Sequence, residues 1–268
     1  MRNILKSDFY KLKKSKAFWI CAVLSLVLGV FLVIAMQAGM NIAQSELERV
    51  ATDPEYRSML AMVPNAGGAW MLGNILSMGL NTIFVGVFVG IFVSSEFVYG
   101  TMKNTISRGA GRIKVFASKF FVCACAALLM LLTFMAAALV TGTAIWGFDP
   151  NGIVTVSGML GMILPQVLLT LAFTALFTFI STTLRSSGGA MAVNIICVTM
   201  ASTLLSALNT LFGGRINLNH YWIGGAMNKL ATITPASDDI VRGVIIAVCW
   251  RVAALLFGTI VFKKRDVK

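Results

Sequence analysis

Residues 17–36 are AFWICAVLSLVLGVFLVIAM, and this stretch decides the fold class. It carries no charged side chain and is long enough to cross the hydrocarbon core of a bilayer, which takes about 20 helical residues. Residues 11–16, KLKKSK, place a basic flank directly before it. A secretory signal peptide has an apolar core of about 7–15 residues followed by a small-residue cleavage site, and this stretch is longer and lacks such a site. The sequence therefore predicts a retained first membrane span.

Five further apolar runs follow along the chain. They predict spans at residues 71–94, 115–146, 156–180, 190–212 and 240–262. The hydrophobic fraction of the 268 residues is 58% and the charged fraction is 12%, whereas soluble domains carry about 25% charged residues. Because lipid cannot hydrogen-bond to the backbone, each crossing must satisfy its own polar groups as a helix. We therefore predict an all-α integral membrane protein, a single domain over residues 1–268 with six transmembrane helices.

Lysine and arginine are distributed unequally between the two sides that these spans define. One side collects most of them, in residues 2–16, in the loop at 96–114, at Arg185 and in residues 263–268. Most acidic residues fall on the other side. The positive-inside rule then places both termini in the cytoplasm. This topology and attraction to anionic membrane lipids explain the net charge of +12 without nucleic acid as a partner.

Two segments outside the spans have patterns of their own. Leu5, Phe9 and Leu12 recur at helical spacing before the first span, with lysines elsewhere around the wheel. This pattern favours a short amphipathic helix on the inner leaflet, and the alternative is a plain basic flank. Residues 213–239 contain apolar stretches such as Tyr221–Ile223 but are too short and too broken to cross. They predict a re-entrant or interfacial segment before the last span.

The sequence offers few groups for chemistry. The five cysteines lie inside apolar runs, and His220 is the one histidine. There is no H-E-x-x-H motif, no G-x-S-x-G motif and no G-x-x-x-x-G-K-[ST] phosphate-binding loop. We therefore expect no catalytic residue, no metal and no cofactor on this chain. If ATP drives its activity, the ATPase is a separate polypeptide.

Arg251 is the one charge near the middle of a predicted span. A charge at the centre of a span costs at least about 2.5 kcal/mol on insertion scales, so we expect it to contact a substrate or another subunit. The alternative is that its side chain snorkels to the outer interface. Gly86 and Gly90 form a G-x-x-x-G motif in the second span, and Gly79 lies one face-repeat earlier. Small residues let helices approach closely, either within the subunit or across a dimer.

The segment after the second span carries the most information. Residues 95–109 are SEFVYGTMKNTISRG, and this segment resembles the first cytoplasmic loop of ABC type-2 exporter permeases. That family typically shows E-F-x-x-G-T-x-K-x-x-x-S, then a basic residue and a lysine opening the third span. The matching residues are Glu96, Phe97, Gly100, Thr101, Lys103, Ser107, Arg112 and Lys119. The six-span layout, the basic N-terminal helix and the C-terminal residues 262–266 are similar to the family along the whole chain.

The resemblance implies a non-catalytic permease subunit in the cytoplasmic membrane of a bacterium. It would pair with a second permease, identical or different, and with ABC ATPase subunits that bind ATP and magnesium. The loop at residues 96–114 would contain a coupling helix whose side chains fit a groove on the ATPase. The residues assigned to this coupling are Glu96, Phe97, Gly100, Thr101, Met102, Lys103, Asn104, Ile106, Ser107 and Arg108. An ordinary basic loop held by lipid headgroups is the alternative.

Within the family, the chain is most similar to the short permeases of bacitracin resistance and lantibiotic immunity. A cavity lined by phenylalanine, methionine and small residues would suit an antimicrobial peptide. The second choice of substrate is a lipid-linked compound or a hydrophobic drug. The rival interpretation is a polytopic membrane protein without a transport function, such as an intramembrane enzyme or an assembly scaffold. The missing catalytic motifs argue against the enzyme.

Overall fold

The computed structural model describes residues 2–50, 67–107, 109, 111–150, 152, 154–212, 217–232 and 235–264. Within them the α-helices are α1 (Arg2–Lys14), α2 (Lys16–Val50), α3 (Gly68–Ser77), α4 (Asn81–Val98), α5 (Thr101–Ser107), α6 (Arg112–Trp146), α7 (Val156–Leu184), α8 (Ser187–Thr199), α9 (Ala201–Leu211), α10 (Ile223–Leu230) and α11 (Ser237–Lys264). A 3-10 helix covers Leu218–Tyr221. The described residues contain no strand, so the all-α prediction is confirmed.

Five of these helices are long and apolar enough to cross a bilayer: α2 over Lys16–Glu46, α4, α6, α7 and α11. The shorter helices α8 and α9 pass the same test as a pair, and they meet at an angle of 50°. The described part of the chain therefore has five candidate spans, or six if the bent pair counts as one. This is the architecture of a multi-pass helical membrane protein, since each of these helices is apolar and long enough to cross the hydrocarbon core of a bilayer.

Two predicted spans are broken. The run at residues 71–94 is divided into α3 and α4 by residues 78–80, where Gly79 has a φ of +62°. The run at residues 190–212 is divided at Met200. In both places the apolar composition continues across the break, so hydropathy alone gives no sign of it. Glycine reaches the left-handed conformation without the steric cost that a Cβ would add, which explains why the first break falls where it does.

Two helices are longer than a bilayer is thick. α2 and α6 each contain 35 residues, which is about 52 Å at 1.5 Å per residue. Residues 37–50, which follow the predicted first span, continue α2 because glutamine, alanine, glutamate and methionine are good helix formers. α2 packs along α6, and α11 packs along α7. The core between them is built from fully buried side chains such as Phe88, Met130 and Phe173.

The segment before the last span is inserted among the helices. In α10, Ile223, Met227 and Leu230 are buried, as is Trp222 just before it. Gln166 of α7 donates a hydrogen bond from Nε2 to the Met227 carbonyl oxygen at 2.8 Å. Residues 217–232 thus form two short helices and no continuous span, with one face of α10 buried against the bundle. Whether the segment is re-entrant or interfacial stays a prediction.

The glycines of the second predicted span have different roles. A Cβ built on Gly86 would lie 3.2 Å from the Asn194 Cβ, and one built on Gly90 would lie 3.0 Å from the Met191 Cγ. These two glycines therefore let α4 pack closely on α8 within one chain. A Cβ on Gly79 would meet nothing within 4 Å. Gly79 therefore forms the turn between α3 and α4 and packs on no other described helix of this chain, and packing across a dimer stays a prediction.

Candidate functional site at the basic end of the bundle

One end of the bundle is formed by α1, α5, the first turns of α6 and the last turns of α7 and α11, and we call it the basic end. There Arg112 donates from Nη1 to the Lys263 carbonyl oxygen at 2.8 Å. The Arg185 guanidinium lies 5.5 Å from the centre of the Phe97 ring, and that ring lies 6.2 Å from the ring of Phe262. These contacts bring the basic segments of the sequence to one end of the molecule. Gly68 of α3 bonds to Gly147, after α6, at the opposite end.

Four charged side chains meet beneath α1, and we call Asp8, Lys11, Glu96 and Lys119 the ion cluster. The Lys119 Nζ lies 2.5 Å from the Asp8 Oδ1 and 2.5 Å from the Glu96 Oε1. The Lys11 Nζ lies 2.8 Å from the same Glu96 oxygen. Ser118 donates from its hydroxyl to the Asp8 Oδ2 at 2.7 Å. The cluster therefore joins α1, α4 and α6 through one connected set of hydrogen bonds.

Most of the ion cluster is withdrawn from water. Lys119 is 1% exposed, Asp8 is 2% exposed and Glu96 is 7% exposed. Burying charges is costly, and the cost is offset only where opposite charges are paired in good geometry. Here two carboxylates and two ammonium groups balance each other. The arrangement fixes the relative positions of three helices, and losing one charge would leave another buried without compensation.

The N-terminal amphipathic helix is confirmed as α1, but its inner face differs from the predicted one. Leu12 is buried and Leu5 is partly buried, as expected. Phe9 is 38% exposed and lies against the ring of Phe121 at 6.2 Å. Asp8, which the sequence analysis did not single out, points inward in its place. The inner face therefore consists of Leu5, Asp8 and Leu12, with the charged Asp8 between the two leucines.

The short helix predicted after the second span is α5, and its two faces differ. Met102 is 1% exposed and packs in a cluster with Val115, Phe116 and Phe262. Its side chain is therefore unavailable to another protein, and its assignment to ATPase contact is corrected to an anchor within the chain. Thr101, Asn104 and Ser107 are exposed. Because they are three residues apart, they share the outward face of the helix.

The other predicted coupling residues are divided between fixed and undescribed positions. Glu96 belongs to the ion cluster, and Phe97 packs between Phe262 and Arg185. Both are held inside the chain, so they position α5 and do not form its exposed surface. Gly100 has a φ of +66° and reverses the chain between α4 and α5. The side chains of Lys103 and Ile106, and all of Arg108, lie outside the described residues.

A cleft of about 630 Å³ opens between α1 and the segment that follows α5. Its walls include Ser7, Asp8, Lys11, Glu96 and Lys114. Charges of both signs face it, so it suits water and small polar groups better than an apolar ligand. A polar gap therefore lies beside the contacts that the ion cluster and Leu12 make between α1 and the bundle.

Arg251 lies midway along α11 and faces α7. Its Nη2 donates to the Leu168 carbonyl oxygen at 3.3 Å, and the side chain is half-buried. Its Nε is buried with no partner among the described residues. The side chain therefore does not snorkel to the outer interface, as one alternative required. Contact with a substrate or a second subunit stays a prediction.

His220 lies in the 3-10 helix at the opposite end of the bundle. Partial burial, and then the positive charges of Lys229 and Arg242, lower the pKa of His220 below its ordinary value. The side chain is therefore neutral near pH 7. Across the described ranges, no group of three or more histidine, cysteine, aspartate or glutamate side chains is placed to hold a metal ion.

Residues 19–268 match the sequence profile of a family described as a protein of unknown function, DUF2705. The match includes every candidate span from α2 onward, together with Glu96, Lys119 and α5. It begins after α1, so Asp8 and Lys11 of the ion cluster lie before it. No curated protein matches the chain.

Proposed function

We propose that this chain, which belongs to the DUF2705 family of unknown function, is the permease subunit of an ATP-driven ABC exporter, with α5 as the docking surface for the ATPase. The observation that supports this most directly is the division of α5 into a fixed face and an exposed face. Met102 anchors the helix to α6 and α11, while Thr101, Asn104 and Ser107 point away from the bundle. A partner protein can therefore bind the exposed side without disturbing the packing beneath it.

The surroundings of α5 suit the transmission of movement. Gly100 joins α5 to α4 in a tight turn, and Glu96, one turn before that residue, bonds to Lys119 of α6. A push on the exposed face of α5 would reach α4 and α6 together, because packed and hydrogen-bonded elements move as units. The ATPase would be a separate chain that binds ATP and magnesium. This chain would be non-catalytic.

The positive charge of the basic end also supports the topology that we propose. Basic residues concentrate there, and the positive-inside rule assigns such an end to the cytoplasm. The bent pair α8 and α9 would then count as one span, which gives six spans with both termini inside. α1 would lie at the cytoplasmic surface, where its lysines face anionic lipid. We place the protein in the cytoplasmic membrane of a bacterium, as a dimer with an identical or different permease.

The substrate class that fits is an antimicrobial peptide or another amphipathic compound that enters from the membrane. Large apolar side chains remain exposed along α2 and α11, for example Phe31 and Phe257. Such surfaces face lipid or a second permease in a membrane. A compound that partitions into the bilayer would reach the permease laterally.

The test is co-expression with an ABC ATPase from a reading frame beside the one that encodes this chain. Asn104→Glu adds a negative charge to the exposed face of α5, and Lys264→Gln changes the net charge by the same amount on exposed α11 at the same end. We expect Asn104→Glu to reduce ATPase co-purification and permease-stimulated ATP hydrolysis about tenfold, which corresponds to about 1.4 kcal/mol of binding free energy. The Lys264→Gln variant should behave like the unmodified protein.

One result would overturn the whole proposal, and another would overturn the docking surface alone. One is the absence of any ATPase that co-purifies with the unmodified chain, which would favour a membrane scaffold without a transport function. The other is an Asn104→Glu variant that retains both coupling and resistance of cells to a panel of peptide antibiotics. The second result would leave the chain a permease and remove only α5 as its docking surface.

A further inference from the structure

A second cleft, of about 450 Å³, lies at the end of the bundle opposite to the basic end. Its walls come from the 3-10 helix, at His220 and Tyr221, and from the first turns of α11. The lining residues of α11 are Asp238, Val241, Arg242, Ile245 and Ile246. They are three or four residues apart, so they share one face of the helix. This face therefore brings charged and aliphatic side chains into the same cleft.

The chemistry of this face changes along the axis of α11. Asp238 lies in the first turn of the helix. At 1.5 Å per residue, Arg242 follows about 6 Å further along the axis and Ile246 about 6 Å beyond that. Ile245, beside Ile246, is 56% exposed. From the end of the helix inward, the face therefore presents a carboxylate, then a guanidinium and then accessible aliphatic carbon.

This order matches the layers of a bilayer. α11 contains 28 residues, which is about 42 Å of helix, whereas the hydrocarbon core is about 30 Å thick. A helix centred in the bilayer therefore extends about one turn into the headgroup region at each end. Asp238 then lies among the headgroups, Arg242 at the edge of the hydrocarbon core and Ile245 inside it. Tyr221, which is 69% exposed, is of a residue type enriched at this level.

The two charges on this face are exposed and have no ion-pair partner among the described residues. Asp239, the next residue after Asp238, pairs with Lys229 at 4.0 Å. Asp238 and Arg242 have opposite charges and share a helix face, but they form no such pair with each other. Close to hydrocarbon, an ionic partner stabilises a charge more than it does in bulk water, because the dielectric constant is lower. The cleft is therefore complementary to a molecule with one anionic and one cationic group.

We infer that this cleft binds one phospholipid with an ammonium headgroup, phosphatidylethanolamine. In this lipid the ammonium group lies outermost, the phosphate lies beneath it and the acyl chains follow. Asp238 would accept hydrogen bonds from the ammonium group, Arg242 would donate to the phosphate, and an acyl chain would lie along Ile245. The lipid would hold the outer part of α11 and would not be the exported compound. The inference therefore goes beyond the proposed function and does not rest on it.

The test compares two lipids that share a phosphate and differ above it. Phosphatidylethanolamine and phosphatidylglycerol, each with the same diazirine-bearing acyl chain, are added in trace amounts to the purified chain in phosphatidylcholine nanodiscs. After irradiation, mass spectrometry of peptide fragments measures the label on residues 241–246. Residues 252–257 of the same helix, where Phe257 is 61% exposed, provide the internal reference. We expect this ratio to be about fivefold higher for phosphatidylethanolamine, which is the upper end of what an exposed ion pair contributes.

Two variants separate the two headgroup contacts. Asp238→Asn should lower the ratio for phosphatidylethanolamine to that for phosphatidylglycerol, and it should leave the phosphatidylglycerol ratio at least as high as before. Arg242→Gln should lower the ratio for both lipids, by about two- to fivefold, because both contain the phosphate. The matched controls are Asp239→Asn and Lys229→Gln, which make the same changes of charge nearby at residues that do not line the cleft. Both controls should keep the preference of the unmodified chain.

Equal ratios for the two lipids in the unmodified chain would overturn the inference. A preference that persists in Asp238→Asn would do the same, as would one that Asp239→Asn removes to the same extent, because general surface charge would then explain it. Asp238 and Arg242 are exposed, so neither substitution opens a hole in the core, and thermal unfolding checks that each variant keeps the fold. The experiment contains no ATPase. A chain that selects phosphatidylethanolamine and fails to couple to an ATPase would disprove the export proposal and retain the lipid site, and the opposite pair of results would do the reverse.

Discussion

The basic end and the middle of the bundle treat buried polar groups in opposite ways. At the basic end, Lys119 is 1% exposed and bonds to both Asp8 and Glu96. In the middle, Trp222 packs against Phe173 and Trp250, and its buried indole nitrogen has no partner in the described chain. A satisfied buried network rigidifies what it joins, whereas a buried donor without an acceptor is unfavourable. The comparison assigns a fixed geometry to the basic end and less complete hydrogen bonding to the middle.

This difference has a mechanical consequence for the proposed exporter. A docking helix must pass movement on without deforming, and Met102 and the ion cluster provide that at the basic end. Transport also requires the bundle to change shape, and the breaks at Gly79 and Met200 allow this in its middle. α4 connects the two, because Glu96 lies near one of its ends and the first break lies at the other.

The largest expected effect comes from breaking the ion cluster at its centre. Lys119→Met keeps most of the side-chain volume and leaves Asp8 and Glu96 buried with too little positive charge. We expect the free energy of unfolding to fall by about 3–5 kcal/mol, the usual cost of removing one partner from a buried ion pair. Equilibrium unfolding of the reconstituted protein in SDS measures it. Lys114→Met, an exposed lysine on the same helix, is the control, and equal stability of the two variants would contradict a rigid basic end.

A pair of methionines compares the basic end with the middle directly. Met102 is 1% exposed beneath α5, and Met78 is 47% exposed at the break between α3 and α4. Met102→Ala should lower the free energy of unfolding by about 2–5 kcal/mol, because it leaves a hole in a packed core. Met78→Ala should change it by no more than about 0.5 kcal/mol. The same unfolding titration serves both, and similar losses at the two positions would remove the distinction between the two regions.

A double-mutant cycle sharpens the account of the ion cluster. Asp8→Ala and Lys119→Met each break it singly, but together they leave the pair formed by Lys11 and Glu96. The double variant should therefore be more stable than the sum of the two losses implies, by about 0.5–3 kcal/mol. Additive losses would mean that Asp8 and Lys119 stabilise the fold independently, although the Asp8 Oδ1 lies 2.5 Å from the Lys119 Nζ.

The helical fold could be predicted because lipid leaves the backbone few alternatives, and apolar runs of spanning length are visible in any sequence. The breaks at Gly79 and Met200 could not. Each depends on the conformation of one or two residues, while the composition on either side stays apolar. The sequence likewise did not decide whether the segment containing α10 is re-entrant or interfacial, since its position depends on contacts with α7, which is distant in sequence.

The candidate site was predicted in part. The motif pointed to Glu96, Met102 and Lys119, and all three lie at the basic end, but two of them were expected to have different roles. Burial of Met102 depends on Phe262, far along the chain. One signal for Asp8 was available: it is the one acidic residue in the basic first 45 residues, and an isolated acid among lysines can be a buried partner.

Arg251, in the middle of the bundle, is expected to contribute little to stability. Replacement by leucine loses the bond to the Leu168 carbonyl oxygen, a half-buried contact at 3.3 Å, and should change the free energy of unfolding by no more than about 1 kcal/mol. None of the 10 acidic residues lies in the middle of a predicted span, so a second copy of this chain cannot supply a carboxylate at that depth. If Arg251 has an anionic partner, it belongs to a substrate, a lipid or a different chain. We therefore expect Arg251→Leu to assemble with the ATPase and to lose peptide resistance, whereas Arg242→Leu, exposed at the start of α11, keeps it. Unchanged resistance in Arg251→Leu would reduce this residue to a link between α7 and α11.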